Sequence, residues 1–384
     1  MSQSTAPAPP SPRLDRMLGY LAADPSNLQL LADAAEAALD EGRPDEVQKL
    51  LDRHAALAPL TPALLNLQAV AALSCGRFEE AAAGFERLIG DGHDSPALRF
   101  NLAWAKAMLG DHARAAELLD GQVTASVPRA AALKIRALHH LDRLPEALAE
   151  GEKLAAAAPE DRDLLGALAT VALDDEQGDL ARSYAERAGG GAEALSALGA
   201  LTLGENKVDE AMALFEGALA ERPDSPRALL GKGMGLVAKG DAAGAAPFVD
   251  RAARGFGDHV GSWVAAGWAY YVAGDRATSR QRFETALALD ENFAESHGAL
   301  AVLDIADGAV DSAKRRTEIA LRLDRNCFSA ALAKSMLLAA DGNEAAAERV
   351  RALALNRPVG EGGQTIAQAM AALGPGMRSG GGRR

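Results

Sequence analysis

Few side chains in this sequence are of the kind that performs chemistry, and none is spaced for it. His139 and His140 are adjacent and lie near Arg136. Two imidazoles could begin a metal site, but the remaining ligands would have to come from neighbouring segments, and none is evident. The two cysteines, Cys75 and Cys327, lie far apart and give neither a metal-ligand spacing nor a disulfide framework. Cys75 directly precedes Gly76, which reads as a packing position at a turn. Asp174, Asp175 and Glu176 form an acidic run, read as a solvated helix end. No phosphate-cradling glycine loop, nucleophile elbow or zinc pattern occurs. The expectation is a protein with no catalytic residues, no metal and no cofactor, and so not an enzyme.

What does recur is a register of small residues. Gly240, Gly274, Gly308 and Gly342 are spaced 34 residues apart. Ala218, Ala252, Ala286, Ala320 and Ala354 repeat at the same interval, as do Gly199, Gly233, Gly267, Ala301 and Ser335. Three columns in phase define a structural repeat. The first half keeps the register less cleanly: Ala81 and Ala115 are 34 apart, as are Ala147 and Ala181. Two intervals depart from it, 32 residues from Ala115 to Ala147 and 30 from Ala181 to Ala211. The second adjoins Gly189, Gly190 and Gly191, where the fifth unit's second helix is expected to be cut short. The glycine run is expected to join two blocks and to bend.

Composition agrees with paired helices. The chain has 384 residues, more than one hydrophobic core usually serves, and 48 % are apolar but only 4 % aromatic. Alanine in place of bulk suits close-packed helices and suits sheets poorly. The formal net charge is -13, which disfavours nucleic acid as a partner. Residues 1–10 lack the features of a secretory signal. No apolar run reaches the roughly 18 residues of a membrane span, so a cytoplasmic setting is expected. An arginine-rich, lysine-poor composition fits a GC-rich bacterial genome.

The pattern resembles the tetratricopeptide repeat, a helix–turn–helix unit of 34 residues. In the unit from Val260 to Phe293, Trp263, Gly267, Tyr271, Gly274, Phe283 and Ala286 stand where that family has its signature residues. Pro59 and Pro159 stand at hairpin exits, where the family's closing proline belongs. Units are expected to start near Leu28, Pro62, Pro96, Pro128, Arg162, Ala192, Pro226, Val260, Ala294 and Phe328. The resemblance implies an all-α, right-handed superhelical solenoid of about ten repeats. The expected organisation is a disordered tail (1–13), an N-terminal capping helix (14–27), one block of five repeats (28–191) and a second (192–358). A C-terminal capping helix (359–373), with Ile366, Met370 and Leu373 on one face, and a disordered tail (374–384) complete it.

The resemblance also implies that first helices line a concave groove. Mapped onto this chain, the second unit offers Asn66 and Val70, and the third Phe100, Asn101, Trp104 and Met108. The fourth offers Arg136, His139 and His140; the seventh and eighth offer Met234, Trp268 and Tyr271. Val302 and Ile305 follow on the ninth, and Met336 on the tenth. This mostly apolar lining points to a protein or peptide ligand, an apolar or amphipathic segment, held by a non-catalytic scaffold or adaptor. Packing of Trp104 and Trp268 against the adjacent helix is the competing role for those two residues. Alternatives for the whole chain are a chaperone or assembly factor for a secretion, pilus or envelope component, or a regulatory subunit of an enzyme such as a glycosyltransferase.

Overall fold

The computed structural model describes residues 13–356, 358–359 and 364–365. Helix α1 (Arg13–Ala23) is followed by ten helical hairpins. They are α2 (Leu28–Asp40) with α3 (Pro44–Ala55), α4 (Pro62–Ser74) with α5 (Phe78–Gly90), and α6 (Pro96–Met108) with the divided pair α7 (His112–Leu118) and α8 (Gly121–Ser126). Next come α9 (Ala130–His140) with α10 (Leu144–Ala157), α11 (Arg162–Asp174) with α12 (Gly178–Ala188), and α13 (Ala192–Gly204) with α14 (Val208–Glu221). The last four are α15 (Pro226–Ala238) with α16 (Ala242–Phe256), α17 (Val260–Val272) with α18 (Arg276–Leu289), α19 (Ala294–Ala306) with α20 (Val310–Leu323), and α21 (Phe328–Ala340) with α22 (Glu344–Leu355). The chain forms a helical-repeat solenoid. It divides into two compact units, Met1–Leu164 and Leu165–Arg384. That boundary falls inside α11, and the Gly189–Gly191 run lies within the second unit.

Local chemistry sets the helix ends. Thr61, Ser95 and Asn27 cap the first helices that follow them, their side-chain oxygens accepting from Leu64, Leu98 and Leu30 N–H. Pro62 and Pro96 occupy first helical positions, where a missing N–H costs nothing. Each hairpin turn contains one residue at positive φ: Gly42, Gly76, Gly110, Asp142, Glu176, Asn206, Gly240, Gly274, Gly308 and Gly342. Seven are glycine; the fourth, fifth and sixth turns hold side chains in the same left-handed conformation. Glu176, at φ 56°, is the least suited of these.

Both departures from the period have a visible cause. In the third hairpin, Asp120 caps a new helix, accepting from Gln122 and Val123 N–H at 2.9 and 3.0 Å. The second helix is thereby split in two. The next hairpin then begins at Ala130 and not at Pro128, because Arg129 takes a left-handed φ of 68° and ends the turn. In the fifth, α12 stops at Ala188, and Gly189, Gly190 and Gly191 all adopt positive φ. At the C-terminal end, Pro358–Val359 pairs antiparallel with Gln364–Thr365. Of the expected capping segment 359–373, residues 359, 364 and 365 are described, and they are extended. Ile366, Met370 and Leu373 lie outside the described residues.

Packing inside the sixth, seventh and eighth hairpins follows one rule. A small residue on the first helix receives a large one sixteen positions later on the second. Phe283, fully buried, lies so close to Gly267 that a Cβ there would come within 2.3 Å of its ring. Phe215 stands in the same relation to Gly199, at 2.6 Å, and also reaches Gly231 on the next hairpin, at 2.2 Å. Val249 meets Gly233 at 2.5 Å. The glycines thus let helix axes approach until a ring fills the space between them.

Hairpins are also joined by polar contacts. Glu295 on α19 caps α21, accepting from Phe328 N–H at 2.6 Å and Ser329 N–H at 3.1 Å. There a negative charge meets the positive end of the helix dipole. Asp304 is buried and accepts from Ser312 (2.7 Å), Arg280 (2.9 Å) and Arg316 (3.1 Å). Buried Asp250 pairs with Arg282 of the next hairpin and with Arg254.

Three substitutions test these rules. Gly267→Ala should lower the denaturant midpoint, because overpacking of roughly 1–3 kcal/mol outweighs a helix-propensity gain of about 1 kcal/mol. Adding Phe283→Leu should recover part of the loss, as coupled neighbours do; a midpoint raised by Gly267→Ala contradicts the packing rule. Glu176→Gly should raise stability by roughly 0.5–1 kcal/mol by relieving a left-handed side-chain residue. A destabilised Glu176→Gly protein would show that no strain resides there.

Candidate functional site

Asn66 on α4 and Asn101 on α6 are brought together by the stacking of the second and third hairpins. They line one cavity of about 240 Å³, together with His93, Ser95, Leu88 and Leu98. The Asn66 Oδ1 atom is buried and has no hydrogen-bond partner. A buried carboxamide oxygen without a donor is costly, and a ligand N–H entering the cavity would satisfy it. The two carboxamides together offer acceptors and donors in the complement a peptide unit presents.

The aromatic residues beside this cavity are partly engaged. Trp104 packs edge-on to Phe100 at 5.9 Å between ring centroids. The Arg129 guanidinium lies 5.1 Å from the Trp104 ring centre, in cation–π geometry. Arg129 also pairs with Asp163 at 3.3 Å. Trp104 is thus a half-buried ring with one face already occupied, and Val70 packs into the same core. Met108, one turn further along α6, is 51 % exposed. Arg129 is absent from the sequence-derived set, because nothing in the period places a turn residue over a tryptophan of the preceding hairpin.

The histidines form a cluster of a different kind. His140, at the end of α9, stacks on His112 at the start of α7, with centroids 4.3 Å apart and planes 7° from parallel. His139 lies 6.0 Å from His140, and Arg136 is on the same helix. Among the described residues, no group of three or more His, Cys, Asp or Glu side chains could hold a metal ion. Burial, reinforced by the neighbouring His112 and His139, pushes the His140 pKa below the ordinary imidazole value. Burial lowers that of His112 as well, against the pull of Asp111.

In the second unit the groove residues separate into open and packed positions. Met234 on α15 is 50 % exposed. Trp268 on α17 is held edge-on by Tyr271 and by Phe283, each at 5.4 Å. Ile305 and Met336 pack partly into the core between α19 and α21. Val302 is only 1 % exposed and sits inside that core. It offers no surface to a ligand, because the small Ala301 and Ala333 beside it let α19 and α21 close over it. Arg227 on α15 grips Asp174 on α11 through two bonds of 3.0 and 2.6 Å, reaching past the hairpin that lies between theirs in sequence. Asp174 therefore belongs to an ion pair and not to a simply solvated helix end.

Protonating the stacked imidazoles is disfavoured in the folded chain, whereas the unfolded chain takes up protons near pH 6.5. The stability they contribute is thus complete above that pH and is lost as pH falls below it. Urea midpoints at pH 7.5 and 5.5 should diverge more for the natural chain than for a His112→Phe, His140→Phe double variant. Equal divergence would show that the stack carries no pH dependence.

Residues 32–96, 66–125 and 196–259 match the tetratricopeptide repeat family. No curated protein matches the sequence. Among solved structures, the human IFIT1 dimer with PPP-AAAA aligns at 15 % identity, covering 91 % of this chain and 95 % of that one, with a TM-score of 0.53. The APC/C hetero-tetramer Cut9-Hcn1 aligns at 16 % identity, covering 89 % and 67 %, with a TM-score of 0.56. At such identities the likeness is one of fold. Period, hairpin geometry and family match agree: the matched residues carry tetratricopeptide repeats, and the chain folds as a helical solenoid.

Proposed function

We propose that this chain is a non-catalytic protein-interaction scaffold. It holds an apolar or amphipathic peptide segment along the first helices of its hairpins, with the Asn66–Asn101 cavity as the anchoring point. Tetratricopeptide repeats imply a protein-interaction role in general; the position and chemistry of the ligand are our reading. The observation that carries it is the buried, unpartnered Asn66 oxygen, on a residue that lines a cavity shared with Asn101. Met108 stands exposed on the same helix as Asn101. A flexible thioether at such a place accommodates varied apolar side chains, while the carboxamides fix one peptide unit. The ligand would thus be read by one main-chain contact and by apolar side chains around it.

A protein partner fits the electrostatics better than a nucleic acid does. The net charge of -13 repels a polyanion, although IFIT1, which shares the fold, is found with RNA. Among the described residues no helix is long and apolar enough to cross a membrane. A cytoplasmic adaptor, and equally an assembly factor for a secretion or envelope component, is compatible with this surface.

Selection of a displayed random-peptide library on the full chain tests the proposal. Enriched peptides should be apolar or amphipathic. Their affinity should fall by about tenfold or more when Asn66→Ala and Asn101→Ala are combined, the cost of losing about 1.4 kcal/mol of hydrogen bonding. Helicity should remain unchanged. Peptides that bind the double variant equally well would place the ligand elsewhere.

A further inference from the structure

A second cavity, of about 500 Å³, opens in the second unit between the α14–α15 connection and α16. Three arginines line it, Arg222, Arg251 and Arg254, with Asp224 as the one acidic side chain and Pro226 and Leu229 as apolar lining. In a chain carrying a net charge of -13, such a concentration of cations calls for a reason.

The repeat supplies an internal control. Arg251 donates to the Pro223 carbonyl at 3.0 Å. Arg53, 198 positions earlier, donates to the Pro25 carbonyl, also 198 positions earlier, at 3.1 Å. This bond is a structural latch between a second helix and the preceding connection, and it works in both places. At the first place, however, the positions equivalent to Arg222 and Arg254 are Asp24 and Ala56. The latch therefore needs one arginine, and the other two are additions to it.

Neither addition is fully neutralised. Arg254 shares the buried Asp250 carboxylate with Arg282, so one carboxylate serves two guanidiniums. The ion pair of Arg222 with Glu193 is long, at 3.7 Å. Guanidiniums present forked donors that match the oxygens of a phosphate group in pairs. The cavity exceeds the size of a single tetrahedral ion, leaving space for the chain that bears it. Only one such cluster of cations is needed for one phosphate, whereas a polynucleotide is held by many phosphate contacts.

We propose that Arg222, Arg251 and Arg254 form a receptor for a phosphorylated side chain of a protein partner. This site is independent of the Asn66–Asn101 cavity and stands or falls separately. An oriented peptide library with one fixed phosphoserine, its unphosphorylated counterpart, inorganic phosphate and a 5′-phosphorylated RNA oligonucleotide are the probes, offered to the full chain at 0.15 M salt. The phosphorylated library should yield peptides that bind at least about tenfold more tightly than their unphosphorylated forms, in keeping with charge-assisted bonds. Arg222→Gln with Arg254→Gln should remove that preference while leaving helicity intact, and Arg53→Gln should leave the preference intact. Equal binding of both peptide forms, an undiminished preference in the double variant, binding of inorganic phosphate without any phosphopeptide, or tighter binding of the RNA would each overturn the proposal.

Discussion

The structure depends on how closely two helices can approach where one of them carries almost no side chain. Gly199, Gly231 and Gly267 leave room for an aromatic ring where even a methyl group would collide. Phe215 and Phe283 fill that room and are fully buried by it. Because Phe215 touches glycines on two successive hairpins, the contact that closes one hairpin also docks the next. A hairpin alone could not bury these rings. Stacking is therefore a condition of folding, and stability becomes a chain of neighbour-to-neighbour terms.

This arrangement explains where interaction surface remains. Small residues are used up between helices, so the candidate interaction residues are larger side chains left over on the first helices and, for Arg251 and Arg254, on the second helix α16. Some of these are also consumed by packing: Val302 is enclosed, and Trp268 is held by Tyr271 and Phe283. Others are left with unmet chemistry, above all the Asn66 oxygen. The candidate sites proposed above are places where the packing leaves a polar atom or a charge without its full counterpart.

Much of the fold is legible in the sequence because the period imposes itself on several columns at once. The expected hairpin starts at Leu28, Pro62, Ala192 and Val260 coincide with observed helix starts. The start at Pro128 misses by two residues, since the Asp120 cap and the left-handed Arg129 redraw the boundary locally. The Pro358–Val359 and Gln364–Thr365 pairing lies beyond the last repeat, where no column extends. Site residues are less legible. Periodicity places Asn66 and Asn101 on their helices, but only the stacking shows that they share a cavity. Asp304 and Asp250 look like surface acids in the sequence, because Arg280, Arg316 and Arg282, which pair with them, lie at irregular offsets in neighbouring helices.

Amide hydrogen exchange on a Phe215→Ala variant probes the nesting of ring against glycine most directly. Faster exchange is expected in α13 through α16, whose Gly199 and Gly231 hold the ring, with natural protection in α2 through α7. Undisturbed protection in α15, or an equal loss across every hairpin of both units, would contradict that nesting.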